Sequence, residues 1–178
     1  MMKRLYLKCV LLATAVLSSG CMNSAYDTGF DEIINTNRAA ANNLIRMAGD
    51  DLRPGANIIA ASFASIDDLT QSSSFGRVAS QQLVSQLTAA GYSVKEMLLR
   101  NNVYISPSEG EFLLSRAVSD ISAQHDAQVV LVGTYAVGDA NVFVTARLIR
   151  TADNVIVASH DYAIPYTRDM RILLRDWQ

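Results

Sequence analysis

The sequence predicts an α/β fold: a single domain with a mixed β-sheet, in which βαβ units are followed by an antiparallel three-strand meander, flanked by helices. In the first half of the chain, short apolar runs alternate with segments of helical periodicity, an order typical of parallel βαβ units. In the second half, three strand-like runs are separated only by short turns at 138–141 and 151–154, which favours antiparallel neighbours. The 178 residues, half of them hydrophobic, are enough for one domain with a substantial core.

The first two helices are predicted from apolar residues spaced three or four positions apart. One covers residues 30–48 and ends at Gly49. The other starts at the serines of 72–74, which favour the first position of a helix, and runs to about Ala90 before Gly91, a common stop. Its apolar positions, which fall three or four apart, are Phe75, Val78, Ala79, Leu83, Leu87 and Ala90.

The strands are predicted from short runs rich in apolar residues, and a third helix is predicted over 109–124. That helix opens on a capping box in which Ser108 and Glu111 exchange hydrogen bonds. The run at 128–137 is apolar almost throughout, which indicates a strand covered on both faces. The small residues of 57–63 suit a central strand with helices close by. The predicted strands are 57–63, 92–97, 103–105, 128–137, 142–149 and 155–164.

The N-terminus has the three parts of a secretory signal peptide: a positive region, an apolar run over 10–17, and small residues before Cys21. The apolar run is shorter than the roughly 20 residues that span a bilayer. Segment 17–21 resembles the lipobox of bacterial lipoproteins, although Ser18 stands where leucine is usual. The resemblance implies cleavage before Cys21, lipidation of its thiol and acylation of the new amine. The alternative is a plain secreted protein with a chance cysteine at its cleavage site.

The composition of the mature chain excludes several functions. Removal of Lys3, Arg4 and Lys8 with the signal peptide leaves 12 basic against 17 acidic residues, without the basic excess of nucleic-acid-binding proteins. Because Cys9 lies in the signal peptide, Cys21 is the one cysteine of the mature chain. Neither an intramolecular disulfide nor a CxxC metal or redox pair can form.

The sequence contains none of the GxSxG, GxGxxG, GxxxxGK or HExxH motifs. His125 and His160 lie on different elements, and His160 is interpreted as a hydrogen-bonded histidine on a sheet face. The adjacent carboxylates at 50–51 and 67–68 are explained by turn or cap roles. We therefore expect no cofactor, no metal site and no enzymatic activity.

Five motifs stand in one order along the chain: 73–78 (Ser-Ser-Phe-Gly-Arg-Val), 81–83 (Gln-Gln-Leu), 110–116 (Gly-Glu-Phe-Leu-Leu-Ser-Arg), 132–135 (Val-Gly-Thr-Tyr) and 146–148 (Ala-Arg-Leu). In this order they resemble the FlgO family of flagellar outer-membrane lipoproteins, over roughly residues 54–165. The resemblance implies a part of the outer-membrane-associated flagellar structure that is needed for motility and has no known catalysis. At the level of fold alone, the domain is also similar to the small α/β domains of periplasmic Tol-type proteins.

The expected address is the outer membrane, facing the periplasm, because Met22 follows Cys21 where inner-membrane retention typically has aspartate. Expected partners are flagellar basal-body or outer-membrane ring proteins, and a homo-oligomer is left open. The alternative function is a general periplasm-facing lipoprotein binding module for an envelope protein or a small ligand. The predicted organisation is a signal peptide (1–20), a lipid-anchored tether (21–29), an N-terminal helix (30–53), a FlgO-like α/β domain (54–165) and a C-terminal amphipathic tail (166–178).

The candidate interaction residues are arginines and one tryptophan. Arg77 and Arg116, both in the motifs, are candidates for fixed polar contacts, with solvated helix positions as the alternative. The tail is predicted to form a helix over 168–177 that packs on its own sheet, docks on a neighbouring subunit or flagellar partner, or contacts an anionic membrane. The membrane is the weakest of the three, because three arginines contribute only about 3 kcal/mol there. The apolar stripe of the tail is Met170, Leu173, Leu174 and Trp177, flanked by Arg168, Arg171 and Arg175.

Overall fold

The structure is a computed structural model that describes residues 29–69, 71–97 and 126–175. The helices in these ranges are α1 (Gly29–Ala48), α2 (Ser74–Ala89) and α3 (Arg168–Leu173), and a 3-10 turn at Gly49–Asp51 follows α1. The strands are β1 (Asn57–Ala61), β2 (Ala64–Ser65), β3 (Ser93–Met97), β4 (Val129–Val137), β5 (Asn141–Arg150) and β6 (Ile156–Pro165).

The strands form one mixed sheet in the order β3-β1-β4-β5-β6. β1 pairs in parallel with β3 and β4, whereas β4 with β5 and β5 with β6 are antiparallel. α2 connects the parallel strands β1 and β3, so this part of the chain is a βαβ unit. The predicted α/β class, with a βαβ unit before an antiparallel meander, is confirmed. The short β2, which pairs with the end of β4, was not predicted.

The sheet has two edges that matter for function. We call the edge where β1, β3, β4 and β6 end the upper edge, and the edge where they begin the lower edge. Two contacts give the direction of α1 relative to β6. Asn37, earlier in α1, contacts Tyr162, later in β6, whereas Asn43 contacts His160. At the lower edge, Asp51 after α1 pairs with Arg150 at the end of β5. α1 therefore begins at the upper edge and runs antiparallel to β6 down to the lower edge.

The main core lies between the three helices and one face of the sheet, which we call the inner face. Ile58 and Ala60 of β1 belong to this core, whereas Ile59 between them belongs to a smaller cluster on the outer face with Ala127 and Val130. This alternation follows the pleat of the strand. The largest fully buried side chains are Phe63, Phe75, Leu44, Ile58, Leu83, Leu87, Leu131, Leu148, Ile164, Met170, Val129 and Val142.

Two details differ from the predictions. β1 ends at Ala61 because Phe63 leaves the sheet and donates its backbone N–H to the Gly76 carbonyl instead. β4 is buried on both faces only over its first three residues, so the predicted cover of the whole run at 128–137 is wrong.

The C-terminal helix is shorter than predicted and ends at Leu173. Thr167 caps its start by accepting a hydrogen bond from the Met170 N–H at 3.3 Å. Other predicted features lie outside the described residues. These are the signal peptide with Cys21, the strand at 103–105, the helix at 109–124 with Arg116, and Trp177.

Candidate functional site at the upper edge

Two of the family-like motifs meet at the upper edge around Phe63. The Phe63 N–H donates to the Gly76 carbonyl at 3.1 Å, and the Ser72 hydroxyl donates to the Phe63 carbonyl at 2.8 Å. The segment after β1 is therefore fixed against the first turn of α2. The Phe63 side chain is fully buried, and it fills the space between α2 and β4.

Gly76 and Gly133 leave the room that Phe63 occupies. A Cβ at Gly76 would lie 2.1 Å from the Phe63 carbonyl oxygen, far inside contact distance. A Cβ at Gly133 would lie 2.6 Å from the Phe63 ring. Both glycines are thus required by close approach of neighbouring atoms. The sequence carried one signal for this role, since each glycine lies in one of the family-like motifs, but it did not show that Phe63 joins them.

Tyr135 closes the same junction from β4. Its hydroxyl accepts a hydrogen bond from the Ser73 N–H at 3.1 Å, and its ring meets Phe75 edge-on with centroids 5.3 Å apart. The Ser73 hydroxyl in turn accepts from the Gly76 N–H at 3.3 Å, as the predicted serine cap requires. Donors at a helix N-terminus are what binds an anion in many α/β proteins. Here two N–H groups at the start of α2 already donate to side chains of the protein: the Ser73 N–H to the Tyr135 hydroxyl and the Gly76 N–H to the Ser73 hydroxyl.

Arg77 makes fixed contacts, although its side chain is exposed. Its guanidinium donates to the Ser72 carbonyl and to the Ser74 hydroxyl, both at 3.0 Å. It also lines a small depression with Ser62, Ser80 and Glu96, whose enclosed space of about 10 Å³ holds no more than a water molecule. Among the described residues, no group of three or more histidine, cysteine or acidic side chains could hold a metal ion.

A polar seam joins α1 to α2 and β6 inside the otherwise apolar inner layer. Asn37 is fully buried; its amide donates to the Gln82 carbonyl oxygen at 2.6 Å and its oxygen accepts from the Tyr162 hydroxyl. Further along α1, the Asn43 amide contacts the His160 Nε2 atom at 3.0 Å. The interpretation of His160 as a hydrogen-bonded sheet histidine is confirmed. The helical spacing over 30–48 does not by itself predict this link, because Gln82 and Tyr162 lie far from Asn37 along the chain.

Burial raises the pKa of the Tyr162 hydroxyl. The unfolded chain ionises a tyrosine near pH 10, whereas the folded chain keeps Tyr162 neutral at that pH. The contribution of Tyr162 to the free energy of unfolding is therefore constant below about pH 10 and falls as the pH rises beyond it. We expect Tyr162→Phe to flatten this alkaline decline, measured as the urea midpoint between about pH 8 and pH 11. A variant that declines as steeply as the wild type would contradict the assignment.

The described part of the tail packs on its own domain. Met170 is fully buried in the main core, and Leu173 and Leu174 pack against that core while half-buried. Arg168, Arg171 and Arg175 are exposed, and the Arg171 guanidinium lies 5.9 Å from the centre of the Tyr166 ring. Tyr166 donates its N–H to the Ala140 carbonyl at 2.8 Å, which places α3 at the upper edge beside the turn between β4 and β5.

The lower edge carries an ion-pair cluster that the sequence pattern did not reveal. Arg150 pairs with Asp51 and, at 2.8 Å, with Asp153. Hydrogen bonding to Arg150 holds the pKa of the Asp153 carboxyl below its usual range. Because Asp51 and Arg150 are 99 positions apart, only the antiparallel run of α1 along β6 brings them together.

Solved structures that share this fold include two LpoB C-terminal domains. The LpoB C-terminal domain from Escherichia coli aligns with a TM-score of 0.54 at 10% identity, covering 75% of this chain and 98% of that one. The LpoB C-terminal domain from Salmonella enterica aligns with a TM-score of 0.51 at 11% identity, covering 74% of this chain and 97% of that one. At these identities the similarity is one of fold. No curated protein sequence matches the chain.

The described helices include none that is both long and apolar enough to cross a membrane. A family model described as FlgO protein matches residues 38–169, from within α1 to the second residue of α3. The match extends beyond the expected 54–165 at both ends and includes the residues of the junction around Phe63: Ser72, Ser73, Gly76, Gly133 and Tyr135. Because this match covers well over half of the chain, the protein belongs to the FlgO family.

Proposed function

We propose that the protein is a non-enzymatic, lipid-anchored lipoprotein of the outer membrane that faces the periplasm and serves as a structural or assembly component of the flagellar apparatus. The match to the FlgO family over residues 38–169 carries this proposal. The flagellar role comes from that family, and the lipid anchor comes from the lipobox-like segment that ends at Cys21.

The upper-edge junction supports a role without catalysis. Its polar groups are engaged with each other: the serines cap α2 and fix the segment after β1, and the Tyr135 hydroxyl accepts from the chain. In an enzyme, such hydroxyl groups would face a substrate. In this junction they instead hydrogen-bond to the backbone and hold β1, α2 and β4 together. The small depression beside Arg77 has room for about one water molecule, so that place in the described part of the chain does not suit a metabolite.

The lipid anchor supplies membrane attachment without a spanning helix. Each buried methylene contributes about 0.8 kcal/mol, so that two or three acyl chains hold a protein stably where one does not. The anchor would keep the domain at the membrane surface, where partners in the flagellar basal body or its outer-membrane ring could bind it. We expect the protein to co-purify with intact basal bodies, and a deletion strain to lose normal motility.

Replacement of the predicted lipid-bearing cysteine tests the address and the role together. We expect Cys21→Ser to move the protein from the outer-membrane fraction to the soluble periplasm, and to fail in restoring motility to the deletion strain. Cys9→Ser is the matched control, because Cys9 lies within the signal peptide that is predicted to be removed. This variant should behave as the wild type. Persistence of Cys21→Ser in the outer membrane would refute the anchor, and normal motility of the deletion strain would refute the flagellar role.

A further inference from the structure

We propose that the upper edge of the domain rests against the phospholipid surface of the membrane that holds the anchor, with the lower edge directed away from it. The proposal rests on the proposed function, because it requires acyl chains on Cys21. It adds an orientation and a lipid contact surface, which neither the family nor the lipobox supplies.

The start of α1 gives the first reason. Gly29 is the first residue of α1 and lies at the upper edge, since α1 runs antiparallel to β6. Eight chain steps from Cys21 to Gly29 reach at most about 28 Å when fully extended and about 16 Å when flexible. The ten-residue β6 makes the sheet roughly 34 Å tall. The anchor therefore holds the upper edge close to the membrane, while the lower edge of an upright domain lies beyond its reach.

Exposed apolar side chains give the second reason. Ile66, Val137, Phe143 and Ile172 all lie at the upper edge, and each is between 50% and 57% exposed. Three neighbours in the sheet register form one row there: Ala136 pairs with Phe143, and Phe143 with Ala163. Ile66 donates its N–H to the Tyr135 carbonyl at 2.9 Å, which places it beside this row. Such a row suits the boundary between headgroups and acyl chains.

The charges of the upper edge suit a phospholipid surface without a strong demand for anionic lipid. Arg168 and Arg171 lie on α3 and Arg175 lies just after it, but Asp139 and Asp169 share this edge. Tyr166 and Arg171, which lie one against the other, have the apolar body and polar tip typical of side chains at the membrane interface. We therefore expect the upper edge of the lipidated chain to rest on vesicles of zwitterionic phosphatidylcholine, with little gain in contact from anionic lipid.

The lower edge provides an internal comparison. Met47, Val155 and Ile156 are also exposed there, so apolar exposure alone does not distinguish the two edges. The chain direction of α1 does, because it places the anchor at one of them. Ile156 is 44% exposed and Phe143 is 55% exposed, and both lie on strands of the same antiparallel meander. These two positions are therefore matched in accessibility and differ in their predicted depth.

The test uses the full lipidated chain in phosphatidylcholine vesicles that contain a lipid with a nitroxide on its headgroup. F143C, I172C and I156C variants are labelled with one fluorophore, because acylation blocks the thiol of Cys21. We expect quenching at 143 and 172 to be at least about threefold stronger than at 156, as collisional quenching requires close approach of probe and lipid. Equal quenching at the three positions, or stronger quenching at 156, would overturn the orientation.

The same vesicles separate this proposal from the anchor on which it rests. A wild-type chain that does not float with the vesicles would overturn the lipid anchor, and the orientation with it. A chain that floats, but whose probes at 143 and 172 remain unquenched, would overturn the orientation alone and leave the upper edge to a protein partner. The Cys21→Ser chain, labelled at 143, should remain unquenched and serves as the baseline.

Discussion

Gly76→Ala is expected to lower the free energy of unfolding by more than about 3 kcal/mol, above the range usual for overpacked cores, or to prevent folding. The new Cβ would lie 2.1 Å from the Phe63 carbonyl oxygen, a backbone atom that is itself held by the Ser72 hydroxyl. Relief requires movement of the first turn of α2 or of the segment after β1. The measurement is chemical unfolding of the mature domain, followed by circular dichroism.

Two further variants make this test specific to the contact. Gly91→Ala is the matched control, because a Cβ at Gly91 meets nothing within 4 Å; it should cost roughly 1 kcal/mol, from the left-handed backbone alone. In Gly133→Ala the new Cβ would clash with the Phe63 ring rather than with the backbone. Adding Phe63→Leu should therefore restore part of the lost free energy of unfolding. The same Phe63→Leu change should give no such recovery to Gly76→Ala. A mild Gly76→Ala variant, or equal rescue of both, would show that the junction is looser than described.

Asn37→Ala is expected to lower the free energy of unfolding by about 2–4 kcal/mol. The substitution removes hydrogen bonds to Gln82 and Tyr162 and leaves the largely buried tyrosine hydroxyl without its acceptor. It also opens a void between α1 and the sheet, where Asn37 is fully buried. Unfolding by urea, compared with the wild type at one pH near neutrality, measures the loss.

Asn42→Ala supplies the control on the same helix. Asn42 is exposed and contacts Gln86 at 3.0 Å across the surface of α1 and α2, so its removal should cost less than about 0.5 kcal/mol. The double variant Asn37→Ala, Tyr162→Phe should lose less free energy of unfolding than the two single variants added together. Each single change already removes the hydrogen bond that the two residues share. Similar losses for Asn37→Ala and Asn42→Ala would contradict the central role of the buried seam.

The order of elements and their type could be read from the chain because they depend on local patterns. Helical spacing of apolar residues over 30–48 predicted α1, and short turns between apolar runs predicted the antiparallel β4, β5 and β6. The serine cap of α2 and the glycine that ends it at 91 are also local, since a cap involves neighbours three or four positions away. The end of β1 was missed because a distant residue, Gly76, takes the Phe63 N–H out of the sheet.

What the sequence by itself determined is therefore the α/β class, the family and the lack of a catalytic motif. Only the tertiary structure decided that Gly76 and Gly133 leave room for Phe63, that Asn37 is a buried link to Tyr162, and that α1 begins at the upper edge, where α3 also lies. The physical reason is distance along the chain: the Asn37–Tyr162 bond joins residues 125 positions apart. No periodicity encodes such a contact, which arises only when the sheet assembles and fixes which elements face each other.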